Sequence, residues 1–92
     1  MHISAHNNNG EIMNTLCEAV ALRIKHLLKE KGITQYRLAE NSGIQHGNLS
    51  GIMRGVNNSV DFLTIIKLAG GFDMPTIEFI DDPLFNEDNL KV

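Results

Sequence analysis

The sequence predicts an all-α fold of five short helices in one domain. Three observations carry that expectation. Apolar residues recur three and four positions apart, not in alternation, through most of the chain. Glycines at Gly32, Gly43, Gly55 and Gly70-Gly71 punctuate these stretches where helices would stop. The aromatic content is four Phe and one Tyr with no Trp, so the core must be mainly aliphatic, as suits small helices packed on one another. A chain of 92 residues with 42% hydrophobic content is one globular domain rather than a disordered segment.

Residues 1–12 are polar and aperiodic, and are expected to form a flexible arm ahead of a domain spanning 13–81. His2 and His6 lie four apart, but nothing there would hold a helix and no further ligand completes a site, so no metal is expected. The first helix begins at Thr15. Thr15-Leu16-Cys17-Glu18 matches a capping box, in which the Thr hydroxyl and the Glu carboxylate each take an exposed backbone N–H. Leu16, Val20, Ile24 and Leu27 make its apolar stripe, widened by Ala19 and Leu28. Lys29 and Lys31 suit the negative end of the helix dipole, and Gly32 is the stop. Arg23, Lys25 and Lys29 read as a solvated basic face.

Thr34 caps a second helix, 35–41, that buries Leu38 and Ala39. Asn41-Ser42-Gly43 is a turn sequence, and Gly43 can take the left-handed conformation that a tight helix–helix turn needs. Ile44 follows as a buried anchor. The third helix, 45–54, buries Leu49, Ile52 and Met53 and ends at Gly55. Ser59 is expected to cap a fourth helix, 60–69. Its Phe62, Leu63, Ile65, Ile66 and Leu68 cover most of the circumference and should place it centrally, and Gly70-Gly71 ends it. Phe72 and Met74 are expected in the core. Pro75 opens a short helix, 76–80, with Ile77, Phe79 and Ile80. Residues 82–92 form an acidic tail whose Leu84, Phe85, Leu90 and Val92 can dock on the domain or on a second copy, while Asp81 and Asp82 read as solvated.

The net charge of −3 hides a polarity. Residues 19–60 carry six cations against two carboxylates, whereas residues 61–92 carry two against seven. A phosphate backbone would be drawn to the first segment and repelled by the second. Cys17, the single cysteine, sits among apolar residues and reads as a small buried hydrophobe. No signal-peptide pattern and no apolar run of membrane-spanning length is present in the sequence, so a cytoplasmic protein with no membrane partner is expected. Catalysis is not expected. The histidines are scattered, no nucleophile–His–acid arrangement can be argued, and no phosphate-cradling glycine loop or cofactor motif exists.

The stretch 34–55, TQYRLAENSGIQHGNLSGIMRG, reads as helix, tight turn, helix. Ile33-Thr34-Gln35, Leu38-Ala39, Gly43-Ile44, Leu49, Ile52 and Gly55, followed by Leu63, Ile66 and Ala69, resemble the Cro and phage-repressor type of helix-turn-helix regulator, the XRE family. The resemblance covers about residues 21–80. It implies the five-helix lambda-repressor-like fold and a sequence-specific binder of double-stranded DNA, usually a homodimer on a near-palindromic operator and most often a repressor. Carried over by position, it implies that Gln35 binds a phosphate and braces the reading residues. Gln45, His46 and Gly47 would face base edges, joined on the same helix by Ser50 and Gly51. Asn48, Arg54, Asn57 and Asn58 would lie near phosphates. Residue chemistry agrees: a Gln amide can meet adenine N6 and N7, and a His can donate to guanine N7 or O6, or simply to a phosphate.

The side of the third helix opposite Leu49, Ile52 and Met53 centres on Gly47 and Gly51, where the family often places hydrogen-bonding side chains. Each glycine should cost the helix about 1 kcal/mol relative to alanine. Gln45 is also a poorer cap than Ser or Thr. Either the glycines let the helix sit deeper, leaving specificity to Gln45, His46, Asn48, Ser50 and DNA shape, or base reading has weakened in favour of protein contact. The first is the working expectation. The alternative function is an antitoxin-like or other protein-interaction module on the same fold, holding a protein partner through residues 81–92.

Overall fold

The computed structural model describes residues 14–55 and 59–91. Expectations for His2, His6, the arm, Asn57, Asn58 and Val92 fall outside them. Five helices follow in order: α1 (Leu16–Lys31), α2 (Gln35–Ser42), α3 (His46–Arg54), α4 (Phe62–Gly71) and α5 (Thr76–Ile80). Two single-turn 3-10 helices, Pro83–Phe85 and Glu87–Asn89, complete the described chain. Among the described residues there is no strand, only an isolated bridge between Asn14 and Leu90.

The capping box at α1 forms as its residues require. Thr15 Oγ1 accepts from the Glu18 N–H at 3.1 Å, and Glu18 Oε1 accepts from the Thr15 N–H at 2.8 Å. Thr34 caps α2 by accepting from the Arg37 N–H. Gly43 turns the chain with φ +74°, which a side chain would strain, and returns its N–H to the Ala39 carbonyl.

The fourth helix departs from expectation at both ends. Asp61, not Ser59, is its cap, accepting from the Thr64 N–H at 2.8 Å. Hydrogen bonds from Thr64, with Lys67 nearby, hold the Asp61 carboxyl below its ordinary value. The helix then runs through Gly70 to Gly71 and ends at Phe72. Its apolar wrap is only half used. Ile65, Leu68 and Ala69 are buried, whereas Phe62 and Leu63 are 62% and 58% exposed and Ile66 is 43% exposed.

The core joins Val20, Ile24 and Leu27 of α1 to Leu38, Leu49, Ile52, Leu68, Phe72 and Phe79, with Ile33, Ile44 and Met53 packed on it. Cys17 is buried, as expected. Arg23 is not on a solvated face. Its side chain is buried beside the Phe79 ring, 5.7 Å from the ring centroid. Nε donates to the Phe79 carbonyl at 2.7 Å, and an Nη donates to the Glu78 carbonyl at 3.0 Å. The other Nη pairs with Asp82 at 3.1 Å. One guanidinium thereby caps the carboxyl end of α5, where free carbonyls need donors. Asp82 is accordingly not a solvated residue, because it also accepts from the Leu84 N–H. Residues 83–91 fold back onto this region. The Phe85 ring lies 6.3 Å from that of Phe79, and the Lys91 N–H donates to the Asn14 carbonyl at 2.8 Å.

Candidate nucleic-acid interface

Helix α3 is anchored along one side and open on the other. Leu49 and Ile52 anchor it in the core, and Gly55 ends it in the left-handed conformation. Its beginning differs from those of α1, α2 and α4. Gln45 stands at the cap position but makes no side-chain cap bond. Its amide oxygen is turned instead toward Asn48 Nδ2, 3.5 Å away. The first-turn N–H groups of α3 therefore keep the partial positive charge that draws an anion.

The sequence-predicted residues divide between two flanks of α3. Gln45, Gly47, Asn48, Gly51 and Arg54 line an open concavity of about 620 Å³ on one side. Gly47 contributes bare backbone to it, and a Cβ built there would meet nothing within 4 Å. The far wall of the concavity comes from α4 and its lead-in, with Ser59, Asp61, Thr64 and Lys67. Those four were missed in the sequence. Thr64 and Lys67 are three apart on one flank of α4, beside the buried Ile65–Leu68 side, a weak signal that becomes meaningful only once α4 is seen beside α3.

The second flank faces α2. Gln35 Nε2 donates to Ser50 Oγ at 3.2 Å, so these two side chains brace α2 against α3. Ser50 is half-buried there, away from the concavity. His46 also turns to α2. Its Nε2 lies 2.9 Å from Glu40 Oε2, and its ring stacks on Tyr36 with centroids 4.6 Å apart. Tyr36 and Glu40 carried no sequence signal beyond lying one helical turn apart on an exposed face.

Among the described residues no group of three or more His, Cys, Asp or Glu is placed to hold a metal ion, and no helix is long and apolar enough to cross a membrane.

Comparison with known proteins agrees with this geometry. A profile of the helix-turn-helix family matches residues 24–79. Two crystal structures resemble the chain. One is the restriction-modification controller protein C.AhdI from Aeromonas hydrophila. It is 32% identical, with 68% of this chain and 94% of that one aligned at a TM-score of 0.60. The other is the prophage Lp1 protein 11, 25% identical, with 82% and 99% aligned at a TM-score of 0.71. No curated protein sequence matches the chain. The match spans α2, the Gly43 turn and α3 together with the helices that bury them, and the chain belongs to the helix-turn-helix family of Cro/C1 type, whose members are DNA-binding regulators of transcription.

Proposed function

We propose that this protein is a sequence-specific repressor that binds double-stranded DNA as a homodimer and lays α3 in the major groove. The observation that carries the reading is the state of α3. It is anchored on Leu49 and Ile52, uncapped at its beginning, and bare at Gly47 on the side away from the core. A helix with free N–H groups and no side chain at the approach point can come close to a phosphate and to base edges. Gln45, His46, Gly47, Ser50 and Gly51 are the base-reading set. Gln35, Asn48, Arg54, Asn57 and Asn58 are the phosphate set, with Lys67 added from α4 because it lines the same concavity as Arg54. A cytoplasmic location goes with this reading.

Selection of bound duplexes from a random pool tests the reading. Enrichment should converge on two half-sites about one helical turn, roughly 10 base pairs, apart. Affinity for the selected duplex should fall steeply as salt rises, because several phosphates are neutralised. A ratio near one between selected and random duplexes would sink sequence reading.

A second reading, a protein-interaction module of antitoxin kind, draws on the exposed Phe62, Leu63, Ile66, Ile77 and Ile80 of the adjoining α4 and α5. Removing residues 81–92 cannot isolate this function, because Asp82 and Phe85 are tied into the fold. Co-purification of a second protein that is lost on Leu63→Asp, with DNA binding retained, would favour it.

A further inference from the structure

The Tyr36–Glu40–His46 cluster spans the helix-turn-helix and has no part in the core. We infer that Glu40 is a positioning residue that sets what His46 offers to a base, so that one position of the operator is read differently in the two protonation states of the ring. This rests on the reading of α3 as the element in the major groove.

A neutral imidazole has one N–H and one lone pair, and an ionised carboxylate can only accept. With Nε2 2.9 Å from Glu40 Oε2, the proton belongs on Nε2. The opposite tautomer would set a lone pair against a carboxylate oxygen. Tyr36, stacked on the ring at 4.6 Å with 30° between planes, holds the ring plane, and the Glu40 contact sets which edge of the ring faces α2. Nδ1 is then the nitrogen left for DNA. Neutral His46 presents an acceptor there, and the imidazolium presents a donor.

Of the groups around the ring, Glu40 and the Tyr36 phenol face it from α2. The turn 43–45 carries no titratable group. Arg37 and Arg54, the remaining charges on α2 and α3, make no bond to the ring or the carboxylate among the described residues.

The major groove turns this into a base preference. Cytosine shows only a donor, N4–H2, and guanine only acceptors, N7 and O6, while adenine shows one of each. Neutral His46 therefore selects cytosine over guanine and charged His46 the reverse, with adenine changing least. Donation to guanine, expected from the sequence, belongs to the charged ring alone.

The test is selection of duplexes by the full chain at about pH 8.5 and about pH 5.5, on either side of the ordinary histidine range, at one ionic strength. Wild type should prefer cytosine at one position per half-site at the higher pH and guanine there at the lower, each by about tenfold. Glu40→Gln can accept from an Nε2–H through its amide oxygen or donate to a bare Nε2 through its amide N–H, so both tautomers of the neutral ring become available. At the higher pH this variant should lose the cytosine preference at that position, while guanine is kept at the lower pH and the rest of the site is unchanged. His46→Asn should lose the dependence on pH at that position. Both side chains are exposed, so these variants keep the fold. A selected site identical at both pH values overturns the inference and leaves DNA reading intact, as does a cytosine preference that persists at full strength in Glu40→Gln at the higher pH. Failure to enrich any duplex at either pH overturns DNA reading, and this inference with it.

Discussion

On the proposed reading the backbone of Gly47 itself meets DNA, and stability and function should part there. A Cβ at this position meets open space. Gly47→Ala should therefore raise stability by about 0.5–1 kcal/mol through helix propensity, or several degrees in a thermal melt. The same methyl should hold α3 off the groove and weaken binding to the selected duplex by about tenfold, read by titration. Unchanged affinity would remove Gly47 from the interface. Arg23 is the opposite kind of residue, wholly structural. Arg23→Ala leaves the Glu78 and Phe79 carbonyls and Asp82 without their donor, and should cost about 2–4 kcal/mol in urea unfolding. Arg23→Lys should recover little, since an ammonium cannot span three acceptors as a fork does.

At the level of elements, α2 and α4 approach closely because Gly71 has no side chain. A Cβ there would lie 2.8 Å from both Leu38 Cδ1 and Ser42 Cβ. Gly71→Ala should cost about 1–3 kcal/mol, while Gly70→Ala, next to it but in open space, should be neutral or stabilising. Paired denaturation curves decide this. The contrast explains what could be read in advance. The caps at Thr15 and Thr34, the turn at Gly43 and the anchors Leu49 and Ile52 answer to neighbours within a few residues, and the sequence shows them. The end of α4 was misplaced because the Gly70-Gly71 pair looks like a stop, whereas Gly71 is there for packing. Arg23 was misread because its partners lie 55 to 59 residues away. Within the site, the glycine-faced side of α3 was legible from helical period. Which flank each residue serves was not. That depends on how α2 and α4 lie against α3, so the Gln35–Ser50 brace and the partners of His46 emerged only with the fold.

Across the described residues as a whole, exposed bulk is concentrated. Phe62, Leu63, Ile66, Ile77 and Ile80 are exposed on two helices that pack against each other, whereas α1 and α2 expose only Leu16 and Tyr36 among large apolar side chains. An apolar surface of this kind on a small domain suits a partner, and the proposed two-half-site operator would make that partner a second copy of the chain. Ile66→Glu should shift the chain to monomer in sedimentation. It should also weaken binding to the full operator far more than binding to a half-site, since linked half-sites act through effective concentration. Equal losses on both would place the defect in α3 rather than in assembly. Charge is arranged to match. Arg23 is neutralised inside by Asp82, so the cations left for DNA in residues 19–60 are Lys25, Lys29, Lys31, Arg37 and Arg54.

The bridge between Asn14 and Leu90 makes neighbours of residues from opposite ends of the described chain. Asn14 accepts from the Lys91 N–H and donates to the Asn89 carbonyl at 3.1 Å. A loop of a few residues would therefore join 91 to 14 without moving a helix, and the chain could be cut afresh at Asp73, between α4 and α5. Such a rearranged chain keeps α2, the Gly43 turn and α3 uninterrupted. For this fold, the order in which the helices are synthesised is separable from the surface they present.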